Sequence, residues 1–213
     1  VLGFEEDYLV LNEADYFKGF SLVGKDQHSQ YGEEKILKFS MLAKNLEPLS
    51  QSHTVTVIST ICYDYKTTYT ATACIDLERY INPNTKETPI CSMKTMSSGG
   101  QGAPVAVRKV ETELRTAQAE DVIIPDFKIY IANRGDGQTV ARDSISKACT
   151  SETLDKDDFN IVAVNAWLGE RQLNCRPKRE GYQGNEGYLK FGKREEDYVK
   201  CTLEEGDQVS KKS

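Results

Sequence analysis

The cysteines constrain this chain more than any other feature of its sequence. The 213 residues include six cysteines, at Cys62, Cys74, Cys91, Cys149, Cys175 and Cys201. They form no Cys-x-x-Cys pair, and no histidine lies beside any of them. A structural zinc site is usually built from closely spaced ligand pairs, so this spacing argues against zinc. An even number of cysteines in a modest β-rich chain instead predicts up to three disulfides and an oxidising compartment. The alternative is six buried thiols in a cytosolic protein.

The order of the cysteines along the chain favours two pairs. A loop containing Asn82-Pro83-Asn84 separates Cys74 from Cys91, so a hairpin-like closure would bring these two together. Cys175 and Cys201 flank the last two strand candidates in the same way. Each such bond would close a short loop of chain, which restricts the unfolded state and so stabilises a small domain.

Cys62 and Cys149 are then left over, one in each half of the chain. If they pair, the bond joins the two halves; if they do not, one or both are reduced or bond to another chain. This is a hypothesis from count and position, and a bond between Cys62 and Cys74 would contradict it.

Alternating apolar and polar residues predict strands along much of the chain. Period-two alternation occurs at 35–45, 54–63 and 126–133, and it turns one face of a strand toward a core. Threonine, valine, isoleucine and tyrosine dominate residues 53–75, and these side chains suit a pleated surface. Helical spacing at 33–46 and 107–117 offers a rival interpretation, but we read both as strand. Further strand candidates lie at 105–110, 161–168, 188–191 and in a segment ending near Cys201.

A segment rich in glycine and serine divides the chain into nearly equal halves. Residues 96–104 read MSSGGQGAP, the composition of a turn or short linker. The hydrophobic content is 38% and the mean hydropathy −0.54, as expected when two small cores share the burial. We therefore predict an all-β fold of two tandem immunoglobulin-like β-sandwich domains stabilised by disulfides, over 1–98 and 105–203, with a linker at 99–104 and a charged tail at 204–213.

Four stretches carry a resemblance to a known group of proteins: ICYDYKTTYTATACID at 61–76, GGQGAPVAV at 99–107, FKIYIANRGDG at 127–137 and QLNCRPK at 172–178. They resemble uncharacterised archaeal cell-surface proteins with tandem immunoglobulin-like repeats of the CARDB type. In such repeats an apolar strand commonly ends in an Asn-x-Gly turn, as in Asn133-Arg134-Gly135, whereas the first half has Asn45-Leu46-Glu47 instead. The resemblance implies an exported β-sandwich array and supplies no catalytic residue.

Charge and hydropathy restrict the partners. A net charge of −6 repels phosphate backbones, so nucleic acid is not an expected partner. No apolar run approaches the length of a membrane span, and the N-terminal VLGFEE is not a signal peptide. If the protein is exported, we expect this sequence to be a mature or excised form. No cofactor is expected.

Three weak patterns could mark binding sites. Tyr63, Tyr65 and Tyr69 alternate with threonine and lysine, and such a face could bind a sugar or a neighbouring subunit, or simply be solvated. The segment LDKDDFN contains three acidic residues that could bind calcium, Asp155, Asp157 and Asp158. A solvated loop or a cap before a strand explains them without a metal. Arg134-Gly135-Asp136 spells an adhesion tripeptide, but a turn explains it better, since an Asn-x-Gly-Asp-Gly turn needs glycine for a positive φ and asparagine or aspartate for local hydrogen bonds.

No catalytic constellation is evident. Neither histidine, His28 nor His53, lies in a nucleophile motif. We therefore expect a non-enzymatic structural or assembly protein of a cell surface or extracellular filament, acting by self-association or contacts with other surface proteins. The alternative is an adhesin or carbohydrate-binding module that uses the tyrosines. A secreted hydrolase using carboxylates such as Asp155 or Glu120 ranks last.

Overall fold

The computed structural model describes residues 2–12, 16, 18–23, 31, 33–76, 88, 91–116, 122–150, 153–192, 196–203 and 209–210. Over these residues the chain is mainly β, with antiparallel sheets and one short helix, α1 (Ile145–Ala148), after a 3-10 turn at Arg142–Ser144. The strands are β1 (Leu2–Phe4), β2 (Leu9–Leu11), β3 (Met41–Ala43), β4 (Val57–Ser59), β5 (Met96–Ser97), β6 (Val105–Thr116), β7 (Val122–Asn133), β8 (Ile161–Val164), β9 (Trp167–Leu168), β10 (Arg171–Gln172), β11 (Asn174–Arg176), β12 (Gly187–Lys190), β13 (Glu196–Thr202) and β14 (Val209–Ser210).

The chain divides into two compact units. Unit 1 comprises Val1–Tyr63 and Cys149–Glu152, and unit 2 comprises Asp64–Ala148 and Thr153–Ser213. The segment 99–104 lies inside unit 2, where it joins the paired strands β5 and β6. The mainly β architecture is thus confirmed, whereas two tandem immunoglobulin-like sandwiches remain a finer prediction.

Unit 1 contains two short antiparallel ladders, β1 with β4 and β2 with β3. The alternation in 35–45 is present, because Leu37, Phe39 and Met41 are half-buried while Leu42 is exposed. The strand there spans only Met41–Ala43. Apolar alternation therefore produced less regular structure here than the sequence suggests.

Unit 2 is built on one large sheet in the order β11-β13-β7-β6-β5, with β14 also paired to β7. β6 and β7 have 12 residues each, and both are rich in the β-branched residues that favour extended backbone. The strand interpretation of 107–117, where helical spacing offered an alternative, is confirmed through Thr116.

A proline explains where one ladder of this sheet stops. β13 pairs with β7 from Glu196 opposite Ala132 to Thr202 opposite Asp126, and pairing resumes with Val209 opposite Ile123. Pro125 lies between these two ladders and has no N–H to donate to a neighbouring strand. The β13–β7 ladder therefore ends at Thr202, opposite Asp126.

The core of unit 2 lies between the large sheet and the two-stranded ladder of β8 and β12. Its buried members come from both layers: Val110, Phe127, Ile131, Val164, Leu173, Cys175, Leu189, Phe191, Val199, Cys201 and Leu203. Alternate residues of β7 and β13 supply it, as the period of two requires.

Gly187 fits where β12 approaches the Cys175 backbone. A Cβ at Gly187 would lie 2.8 Å from Cys175 Cβ and 3.2 Å from its carbonyl carbon, so a side chain there forces the strands apart. We expect Gly187→Ala to lower the free energy of unfolding by about 1 to 3 kcal/mol, as overpacking does. Gly192→Ala is the control, since a Cβ there meets nothing within 4 Å. Equal midpoints of urea unfolding for the two variants would contradict this packing.

Candidate functional site

The two edges of the large sheet differ in how they are covered. On the β11 edge, the Cys175 N–H donates to the Asn185 carbonyl at 2.8 Å. On the β6 edge, Gln101 bonds both the N–H and the carbonyl of Val107, at 2.9 and 3.1 Å, and the Thr67 hydroxyl donates to the Val105 carbonyl at 2.6 Å. In the first half of β6, the Val105 carbonyl and both backbone groups of Val107 therefore have side-chain partners.

The second half of β6, residues 111–116, is the open edge. β5 pairs with β6 only at Lys109 and Val110. The Arg108 carbonyl accepts the Ser98 N–H at 2.8 Å on the side away from β7. A β-bulge between Val107 and Lys109 shifts the alternation by one residue, so that beyond it Thr112 and Leu114, like Arg108, direct their C=O away from β7. The N–H groups of Thr112 and Leu114 lie on the same side as their C=O groups. In the described part of the chain, no strand pairs with them there.

Charged side chains line the outer face of the sheet beside this edge. Glu113 Oε1 lies 2.5 Å from Lys128 Nζ on β7, and Arg115 Nε lies 3.0 Å from Asp126 Oδ2. Glu113 and Arg115 remain half-exposed, at 51% and 50%. The open edge thus presents alternating charges on one face that stay accessible to another chain.

Asp126 is a buried carboxylate that pairs with the charged side chains of this face. Its side chain is only 3% exposed, and its Oδ2 also lies 2.7 Å from Lys200 Nζ. Burial raises the pKa of Asp126, but hydrogen bonds from Lys200, Thr202 and Arg115 outweigh burial, and the net pKa lies below its usual value. Asp126 is not among the residues that the sequence patterns singled out. A charged residue inside the apolar run VIIPDFKIYI was the available signal.

Asp126 should make the stability of the fold depend on pH. Because its folded-state pKa lies below the unfolded value of about 3.9, ionised Asp126 stabilises the fold above that pH. The stabilisation is lost as the pH falls through the folded-state pKa. We expect Asp126→Asn to cost about 1 to 3 kcal/mol at pH 7 and less near pH 3. Urea unfolding at both pH values checks this, and a constant difference would contradict it.

An aromatic pair extends the outer face. Tyr130 and Tyr198 have ring centroids 5.2 Å apart, and Lys109 Nζ lies 3.9 Å from the Tyr130 centroid. The Tyr130 hydroxyl donates to Glu111 at 2.9 Å, which raises its pKa. The Tyr130 ring therefore contacts a second aromatic ring and a cation, while its hydroxyl binds a carboxylate of the same face.

Four of the six cysteines form the pairs that the sequence favours. Cys74 is bonded to Cys91, with Cα atoms 5.9 Å apart, and Cys175 to Cys201, at 3.9 Å. Cys175 and Cys201 are directly opposite each other on β11 and β13, inside the core. Two disulfides indicate an oxidising compartment.

The predicted tyrosine face is only partly exposed. Tyr63 and Tyr65 are 61% and 54% exposed, whereas Tyr69 is half-buried and packs against the core of unit 2. Tyr63 belongs to unit 1 and Tyr65 to unit 2. The ring of Tyr69 is therefore occupied by packing.

The acidic cluster at 155–158 is used in ion pairs and hydrogen bonds. Asp157 lies 2.5 Å from Lys190 Nζ, and buried Asp158 accepts the Ser144 hydroxyl at 2.6 Å. Asp158 also accepts the Asp155 N–H at 3.1 Å, the capping role weighed against calcium. Among the described residues, no group of three or more metal-ligating side chains could hold an ion. Glu120 lies outside the described residues.

The Arg-Gly-Asp tripeptide forms a turn held by Asn133. The Gly135 N–H donates to the Asn133 side chain at 3.1 Å, and the Asn133 amide donates to the Gly137 carbonyl at 2.9 Å. The expected reason for glycine was wrong, because Gly135 does not adopt a positive φ. A Cβ there would instead lie 3.0 Å from the Pro104 Cβ. Close approach therefore favours glycine at this position.

His53 has a local structural role. Its ring stacks on Tyr8, with centroids 3.6 Å apart, and its Nε2 lies 3.1 Å from a Glu5 carboxylate oxygen. This hydrogen bond lowers the pKa of Glu5. His28 lies outside the described residues.

Comparison with known proteins assigns no family. No family model, curated protein or solved structure matches the chain. The resemblance to archaeal surface proteins therefore stays a prediction from the sequence. Within the part of the chain that the structure describes, no helix has the length and apolar character needed to cross a membrane.

Proposed function

We propose that this chain is an exported structural or assembly protein of a cell surface or extracellular filament, which associates with copies of itself through the open edge of β6. The observation that carries the proposal is the outward N–H and C=O of Thr112 and Leu114, beyond the reach of β5. An edge with unpaired backbone groups is a template for another strand. The disulfides support export, since such bonds persist in oxidising compartments.

The charges on the open edge favour a second copy as the partner. In an antiparallel pair centred on Leu114, Glu113 of each copy lies opposite Arg115 of the other. Opposite charges in directly facing positions stabilise a ladder. The two half-buried Leu114 side chains would meet on the other face. The edge is thus complementary to itself.

Other registers of the same pairing are less favourable. Centring the pair on Glu113 keeps two facing Glu111–Arg115 pairs but puts the two Glu113 carboxylates opposite each other, and centring it on Thr112 puts Glu111 opposite Glu113 twice. Like charges in facing positions destabilise a ladder. A two-fold contact of this kind closes at two copies, so the open edge by itself gives a dimer, and a filament needs a second contact elsewhere on the chain.

Sedimentation of the full chain tests the proposal. We expect dimers or larger species in analytical ultracentrifugation at native salt, and ordered assemblies in electron micrographs of native material. Thr112→Pro removes one outward N–H and should yield a folded monomer, with its fold checked by circular dichroism. A wild-type chain that stays monomeric at high concentration would overturn the proposal.

The second candidate is an adhesin or carbohydrate-binding module. The exposure of Tyr63 and Tyr65 favours it, because exposed aromatic rings can stack on sugars. A glycan array is the test. Binding that is lost in Tyr65→Ala would support this role, and an array without signal would remove it.

A further inference from the structure

Cys62 and Cys149 are adjacent in the fold although 86 residues separate them in sequence. Unit 1 consists of Val1–Tyr63 and the short segment Cys149–Glu152, so both cysteines belong to the same compact unit. The Cys62 thiol and the Cys149 side chain are within hydrogen-bonding reach. Each is half-buried. A long-range contact between two thiols is therefore built into unit 1.

The redox state of the other cysteines bears on this pair. Cys74–Cys91 and Cys175–Cys201 are disulfides, which persist where the environment is oxidising. The neighbouring thiols of Cys62 and Cys149 are therefore subject to the same oxidising environment. Burial and the hydrogen bond to Cys149 raise the pKa of Cys62 to about 11, so little of it is thiolate at neutral pH. Attack of Cys62 on an external disulfide is therefore slow at neutral pH.

We propose that Cys62 and Cys149 form a third disulfide in the mature protein, made by exchange with an external disulfide such as glutathione disulfide. One thiol loses its proton and attacks the external disulfide, which gives a mixed disulfide and releases one thiol. The second protein thiol, also deprotonated, displaces the remaining thiol. The protein loses two protons and two electrons, one S–S bond forms, and the external disulfide is reduced to two thiols.

This bond has a consequence beyond the proposed assembly. With all six cysteines paired within the chain, none is left to bond one copy to another. Copies that associate through β6 are then held together by noncovalent contacts alone. A reducing agent breaks disulfides within each chain, and there are none between chains for it to break. The disulfide would also close the chain between residues 62 and 149.

Thiol counting in the full chain tests the disulfide. Reduced protein is refolded with glutathione disulfide, blocked with iodoacetamide in denaturant without reductant, and mapped by mass spectrometry. We expect no alkylated cysteine and a peptide that links Cys62 to Cys149. Alkylation of both, glutathione retained on either, or a link from Cys62 to Cys74 or to another chain would overturn the proposal.

Single and double variants provide the controls. Cys62→Ser should leave Cys149 as the one cysteine that is alkylated or capped with glutathione, and Cys149→Ser should do the same for Cys62. The double variant should show no such cysteine and retain the other two disulfides. If Cys149 is neither alkylated nor capped with glutathione in Cys62→Ser, the pairing is wrong. Because the map reads bonds and not assembly, it can fail while the sheet-edge proposal holds.

Discussion

Replacing both Cys175 and Cys201 with alanine should lower the free energy of unfolding by about 3 to 4 kcal/mol, the loss that the chain-entropy model gives for a loop of this length. The two residues are 26 apart in sequence and directly opposite on β11 and β13. Both are fully buried in the core of unit 2. Losing the sulfur atoms also leaves space among apolar neighbours, which adds a cavity cost. Urea unfolding followed by circular dichroism measures the loss.

The other disulfide supplies the matched control. Cys74 and Cys91 are 17 residues apart, so the same model gives a loss of about 3 kcal/mol for their double alanine variant. Cys74 is half-buried and Cys91 is exposed, so no core cavity follows. A larger loss from this pair than from Cys175 and Cys201 would contradict the position assigned to the core.

Glu113→Lys should weaken self-association about 30-fold. In the register centred on Leu114, the change replaces two facing Glu–Arg pairs with two Lys–Arg pairs, at a cost of about 1 kcal/mol for each. Sedimentation equilibrium measures the dissociation constant of the dimer. Circular dichroism checks the fold, since Glu113 also pairs with Lys128.

Asp136→Lys is the control for the change in net charge. Asp136 is exposed in the turn held by Asn133, away from the open edge, and the substitution alters the charge of the chain by the same amount. We expect its dissociation constant to equal that of the wild type. Equal constants for Glu113→Lys and Asp136→Lys would show that the edge charges do not set the register.

The sequence predicted which segments are extended better than it predicted what each strand packs against. Alternation at 126–133 identified β7, because one side of it faces a core that Phe127 and Ile131 fill. The same pattern at 54–63 gave only Val57–Ser59, with Val57 and Ile58 largely exposed. Alternation reports which side chains share a face, and it does not say what covers that face.

The candidate site depended on contacts that no local pattern contains. The burial of Asp126 is sustained by Arg115 and Lys200, which come from β6 and β13 on its two sides. The open edge exists because β5 ends after Ser97, a fact about pairing rather than composition. Cysteine order did favour the two disulfides, since each closes between neighbouring segments. The contact of Cys62 with Cys149 required the fold.

Amide hydrogen exchange at Thr112 and Leu114 tests self-association through β6 most directly. In the assembled wild type, both amides donate to a second copy, so we predict that they exchange slowly at high concentration and rapidly on dilution to monomer. In Glu113→Lys the protection should appear only at higher concentration. Rapid exchange of both amides while sedimentation shows an intact assembly would contradict the account.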